Sequence, residues 1–113
     1  MGQPEYLAGM LRVLILSELA RAPGYGYGIA KALVQRSGGE LTVKPESLYP
    51  VLHRMEGAGL VSVRWELNQG RPRKIYALTP KGRRSWQRAR KQFVRLSAGA
   101  LRAIGADAAA ETP

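Results

Sequence analysis

The sequence predicts a mostly α chain with a small β-ribbon, on three observations. Apolar residues recur at helical spacing in three early segments, one later stretch alternates strictly, and a long final segment repeats its apolar residues at steps of three and four. The 113 residues leave room for one domain and an extra helix, and 45% apolar content suffices for a modest core. A second, catalytic domain does not fit.

The first helix is expected from Tyr6 to Arg21, with Leu7, Met10, Leu11, Leu14, Ile15 and Leu19 on one stripe and a stop at Ala22-Pro23-Gly24. Val13 and Leu16 fall outside the stripe, so this helix is expected to be covered on more than one side. A second helix starts within the turn from Pro23 to Gly28, places Ile29, Ala30, Leu33 and Val34 inward, and ends at Ser37-Gly38-Gly39. Leu41-Thr42-Val43 is a short extended piece continued by Lys44, which precedes proline.

The third helix runs from about Pro45 to Glu56, burying Leu48, Val51, Leu52 and Met55. Pro50 is awkward inside it: either Ser47 is the true N-cap and Pro50 lies in the first turn, or the helix is kinked. Gly57-Ala58-Gly59 closes it. Two strands follow, Leu60 to Leu67 and Arg73 to Leu78, joined by a loop from Asn68 to Pro72; Val61, Val63 and Trp65 form the inward set of the first. Thr79 caps a fourth helix with Pro80 at its first position, running to about Gly105. Its seam is Trp86, Ala89, Phe93, Leu96, Ala100 and Ala103, the spacing of a helix that pairs with another over its length.

Three helices and a two-stranded ribbon make a winged helix-turn-helix, expected over residues 1–79. Residues 80–105 form a long C-terminal dimerisation helix and residues 106–113 a disordered tail. Leu7 and Leu11, with Trp86, Ala89, Phe93, Leu96 and Ala100, are the candidate dimer-interface residues.

The charge points the same way. Net charge is +10, and Lys44 to Arg95 holds thirteen Lys or Arg against Glu46, Glu56 and Glu66. So basic a chain is drawn to a polyanion, nucleic acid first and an anionic membrane second. The absence of cysteine excludes a disulfide scaffold, a thiolate zinc site and a cysteine nucleophile. His53, the one histidine, has no acidic cluster beside it, so no metal or other cofactor is expected. A Ser47, His53, Asp107 triad fails because Asp107 falls in the expected tail, and no enzyme is read. Leu11 to Ala20 is too short and too interrupted to span a bilayer, and a cytoplasmic protein is expected.

On the third helix Tyr49 and His53 share one outward flank, Ser47 and Arg54 the other; arginine can pair with guanine and hydroxyls reach phosphates or base edges. No acid stands three or four residues from Arg54, which leaves it for an outside partner. Arg71, Arg73 and Lys74 around Pro72 suit a phosphate-tracking wing tip. Lys81, Arg83, Arg84, Arg88, Arg90, Lys91 and Arg95 cover the fourth helix, and the regular seam favours a dimer whose basic outer face adds long-range attraction to DNA. Trp86 and Phe93 either pack the dimer core, as buried aromatics chiefly do, or line a flat aromatic pocket between subunits.

Three segments together carry a resemblance. They are Leu14-Ile15-Leu16 with Pro23-x-Tyr25-Gly26-Tyr27-x-Ile29; Ser47-Leu48-Tyr49-Pro50-x-Leu52-x-Arg54-x-Glu56-x-x-Gly59-Leu60-Val61; and Gly70-Arg71-Pro72-Arg73-Lys74-x-Tyr76-x-Leu78-Thr79-x-x-Gly82. Over residues 7–85 the chain resembles the PadR family of bacterial transcriptional regulators, in its short-tailed subgroup with one C-terminal helix. The resemblance implies a winged-helix dimer on a pseudo-palindromic operator, commonly a repressor released by a small, often aromatic molecule. It carries DNA contacts over to Ser47, Tyr49, His53, Arg54, Arg71, Arg73 and Lys74, with Lys44 and Tyr27 in addition, and a ligand-lining role to Trp86 or Phe93. The competing reading is a protein-interaction module, or one that coats DNA without reading it.

Overall fold

The computed structural model describes residues 5–106, with side chains from residue 9 onward. Its elements are α1 (Glu5–Arg21), α2 (Gly26–Arg36), α3 (Pro45–Gly57), β1 (Val61–Asn68), β2 (Arg71–Leu78) and α4 (Pro80–Ala103). The side chain of Leu7 and the expected tail over residues 107–113 lie outside the described residues.

Helix α1 is the centre of the molecule, packing against α2, α3, β2 and α4. Ile15 and Leu16 expose nothing. Leu16, off the expected stripe, is thus as deep in the core as any residue on it, because α1 is enclosed on several sides. Leu11, expected at a subunit interface, is 4% exposed within this chain's own core. Most of its surface is already covered, and what it contributes is the burial of a leucine, about 1.5–3 kcal/mol.

In α3, Lys44 is the extended N-cap and Pro45 the first helical residue, so Ser47 is not the cap and Pro50 lies inside the helix. An interior proline costs roughly 3 kcal/mol or more. Leu48 and Leu52 are fully buried and Met55 is 3% exposed, and burying three such side chains contributes more than that cost. The helix closes at Gly59, where φ is +76° and the Gly59 and Leu60 amides donate to Glu56 and Met55.

The ribbon is longer and its turn tighter than the sequence suggests. Asn68 pairs with Arg71 across a two-residue turn in which Gln69 and Gly70 both have positive φ, 53° and 78°, the hairpin turn whose twist matches its strands. Leu67 pairs with Pro72. Peptide N–H groups alternate in direction along an antiparallel strand. The Tyr76 N–H points away from β1, donating to the Gly24 carbonyl, so the nitrogen of Pro72, four residues earlier, also points outward. Proline there removes no bond of the ladder.

Only the base of the ribbon joins the core. Val61 is buried and Val63 half-buried, whereas Trp65, expected inward, is 66% exposed and Leu67 78%. Alternation puts all four on one face, but the distal half of the hairpin extends past the body of the domain. Among the described residues Leu41-Thr42-Val43 pairs with no strand; Leu41 N–H instead donates to Ser37 Oγ.

Helix α4 is locked to the domain at its first turn. Thr79 Oγ1 accepts from the Gly82 amide and donates to the Gly59 carbonyl, and the Thr79 amide donates to the Leu60 carbonyl. A Cβ on Gly82 would run into that Leu60 oxygen. Further along, Arg12 of α1 donates to Ser85 Oγ at 2.9 Å and Trp86 Nε1 donates to Ser17 Oγ at 3.1 Å.

Candidate nucleic-acid interface

The N-terminus of α2, the outward side of α3 and the ribbon meet on one side of the molecule. The Tyr49 ring of α3 lies so close over Gly26 that a Cβ there would approach its carbons to 2.7 Å. Position 26, at the start of α2, therefore takes a side chain only if the Tyr49 ring moves aside. Tyr27 and Tyr49 stand beside this contact, 57% and 47% exposed. Tyr25 and Tyr27 stack at 6.3 Å between ring centroids.

Two of the three wing cations are already held. The Arg73 guanidinium lies 4.0 Å over the Tyr25 ring, a geometry in which the negative ring face attracts the cation. In the amide orientation that satisfies both groups, Asn68 Oδ1 accepts from the same guanidinium. Lys74 Nζ reaches Glu56 Oε1 of α3 at 3.4 Å and stands 5.4 Å from the Tyr76 ring centroid. Partial desolvation pushes the ammonium down, but Tyr76 and the Glu56 carboxylate outweigh it and hold its pKa above the usual lysine value. An exposed, solvent-screened pair of this kind adds little to stability; its larger effect is to tie the ribbon to α3. Arg71 beside the turn is exposed and has no ion pair among the described residues.

The remaining predicted residues divide between the two flanks of α3. Tyr49 and exposed His53 lie on the flank turned toward α2 and the ribbon, while half-buried Ser47 and exposed Arg54 lie on the flank turned toward α1. Arg54 lines a cavity there with Arg12, Val51, Met55, Ala58 and Leu60. Among the described residues it has no salt bridge or side-chain hydrogen bond. Lys44, exposed at the N-cap, extends the surface beyond the start of α3.

Sequence reasoning missed Tyr25, Asn68 and Glu56, the groups that hold the two wing cations. The only signal for Tyr25 was its place in the Tyr-Gly-Tyr turn; its contact with Arg73 spans nearly fifty residues of chain and leaves no local pattern.

The aromatic candidates on α4 separate. Trp86 is turned to Ser17 of its own chain, whereas Phe93 lines a shallow groove of about 200 Å³ with Gly9, Arg12, Val13, Ala89, Gln92 and Leu96. Ala89 and Phe93 are half-buried beside α1, while Leu96 is 59% exposed and Ala100 is exposed too. Val94 and Ile104 are 54% and 75% exposed, so the distal half of α4 presents apolar surface that the described residues leave uncovered. Among the described residues no helix is long and apolar enough to cross a membrane.

Comparison with known proteins bears on the family and the fold. The model of the "Transcriptional regulator PadR-like family" matches residues 15–88. Transcriptional regulator Rv3488 of Mycobacterium tuberculosis is 35% identical over 79 residues, 70% of this chain and 71% of that protein. Transcriptional regulator YqjI of Escherichia coli is also 35% identical, but the chain spans only 34% of its length. Among solved structures, a PadR family regulator from Eggerthella lenta superposes with a TM-score of 0.72 at 32% identity, over 85% of this chain and 82% of that one. PadR of Bacillus subtilis in complex with operator DNA shares the fold, with a TM-score of 0.63 at 24% identity over 69% of this chain and 45% of that one. The family is one of regulators, not enzymes. With a family model covering most of the chain and winged-helix structures superposing on it, this protein belongs to the PadR-like transcriptional regulator family.

Proposed function

We propose that this chain is a sequence-specific DNA-binding regulator that acts as a homodimer and represses by occupying a two-fold related operator. The observation that carries the reading is the joining of α2, α3 and the wing into one surface: Gly26 under Tyr49, Arg73 on Tyr25 and Lys74 on Glu56 hold the three parts in fixed register. A surface assembled before binding loses little conformational freedom on contact. In this reading Tyr27, Tyr49, His53, Ser47 and Arg54 face the major groove and Arg71, with Arg73, Lys74 and Lys44, meets the backbone. The operator structure of the Bacillus subtilis relative supports the choice of ligand. The uncovered apolar surface from Val94 to Ile104 supports pairing through α4. The groove beside Phe93 is the seat for a small aromatic effector that loosens the dimer from DNA.

The test is selection from random duplex DNA at near-physiological salt. An enriched inverted repeat, its half-sites about one helical turn or about 34 Å apart, is expected. Tight binding without enrichment would replace this reading with a module that coats DNA unselectively.

A further inference from the structure

Helix α4 carries a second charged surface that the reading surface does not include. Placed about 100° apart per residue, Arg84, Arg88, Lys91, Arg95 and Arg102 fall in one narrow stripe opposite the side that packs on α1. All five are exposed, none has an ion pair among the described residues, and the helix contains no acid. From Arg84 to Arg102 the stripe runs about 27 Å, at 1.5 Å per residue. A run of unpaired cations this long repels itself in the free protein and is relieved by a matching row of anions.

The stripe and the reading surface face apart. Helix α1 packs on the inner face of α3 and on the inner face of α4, so the outward sides of α3 and α4 point away from a shared centre. A stripe turned away from the reading surface is placed for a second segment rather than for the duplex that lies on α3.

We propose that the outer face of α4 binds the phosphate backbone of a second DNA segment, so that the protein bridges two duplexes. The inference rests on the reading above in taking α3 and the wing as the holder of the first. Four of the five cations are arginines, whose forked donors match phosphate oxygens. At 3.4 Å per base-pair step, 27 Å is the rise of about eight base pairs. An anionic lipid surface fits less well. Helices that lie on membranes bury an apolar face, whereas the apolar side of α4 packs on α1 in its first half and no large apolar side chain interrupts the stripe.

The experiment immobilises the duplex enriched by the selection, loads it with protein, washes, and adds a labelled 30-base-pair duplex of unrelated mixed sequence. Wild type is expected to capture the second duplex. At about 0.15 M salt, where attraction beyond a Debye length of about 8 Å is screened, the triple variant Arg84→Gln/Arg88→Gln/Arg95→Gln is expected to stay on the first duplex equally well and to capture at least tenfold less of the second, and Arg→Lys at the same three positions to restore capture. Undiminished capture by the Gln variant, or none by wild type, overturns the proposal. So does a preference of wild type for vesicles containing phosphatidylserine over the mixed duplex. Should the selection enrich nothing, the stripe is tested through the salt dependence on the mixed duplex alone. Three lost phosphate contacts lower the slope of log K against log salt by about 2.7, and an unchanged slope refutes the stripe whatever becomes of the operator.

Discussion

Replacing Gly82 with alanine should destabilise the protein although alanine is the better helix former. The new Cβ meets the Leu60 carbonyl oxygen well inside contact distance and Leu78 Cδ2 at 3.1 Å. A flexible side chain there could swing aside, but the carbonyl is fixed: it already accepts from the Thr79 amide at 3.1 Å, and the Gly59 carbonyl beside it accepts from Thr79 Oγ1 at 2.6 Å. Overpacking a rigid site costs about 1–3 kcal/mol, with the upper end appropriate to a backbone obstacle. The gain in helix propensity returns at most about 1 kcal/mol. The net loss is about 2 kcal/mol, which for a domain of this size lowers the melting temperature by roughly 8–16 °C. Thermal unfolding followed by circular dichroism, at one protein concentration because the proposed pairing would stabilise the folded state, measures it. Gly99→Ala is the control, since its Cβ would meet only Arg102 at 3.8 Å, and it should hold or raise the melting temperature. A Gly82→Ala protein melting within about 3 °C of wild type would show that α4 is not clamped at this point.

Other outcomes follow from the same geometry. Gly26→Ala meets a movable ring rather than backbone, so stability should fall by about 1 kcal/mol or less while DNA affinity, read by fluorescence anisotropy, drops several-fold as Tyr49 is displaced. Arg54→Ala should relax sequence preference in a repeated selection, whereas Arg71→Ala should weaken all duplexes and lower the salt slope by about 0.9; identical effects of the two would remove the distinction between reader and backbone contact. Leu52→Ala, at a fully buried position, should cost about 2–5 kcal/mol in urea unfolding. A double-mutant cycle of Ser17→Ala and Trp86→Phe should return a coupling of about 1 kcal/mol; zero coupling would mean that the Trp86 indole is held by packing alone.

The helices were legible because each satisfies several signals at once: the α3 stripe from Leu48 to Met55 is bounded by Pro45 and Gly59, and α4 opens with Thr79 and Pro80. The ribbon was less so. Alternation revealed which face Trp65 shares with Val61 but not how far the domain beneath extends, since that depends on the placement of α1 and α3. Gln69 at positive φ is unusual for such a turn, and Pro72 reads as a loop residue until its outward nitrogen is known. At the site, the candidate residues could be named from position on a helix or turn, but their partners could not. Arg73 and Lys74 look alike beside Pro72 in the sequence, yet one rests on an aromatic ring and the other on a carboxylate supplied by different elements.

The outer edge of β1 bears on how the protein behaves in a tube. Among the described residues no strand lies beyond β1, and its distal half carries Trp65 and Leu67 in the open. An uncovered strand with apolar side chains is a template for another copy to extend. Arg64 and Glu66 on the strand's other face pair with each other at 2.9 Å and so offer little repulsion; the guard is the net charge of +10, which keeps molecules apart over a Debye length of about 10 Å at 0.1 M salt and about 3 Å at 1 M. Washing nucleic acid off this protein with concentrated salt therefore strips away the barrier to edge-to-edge association in the same step.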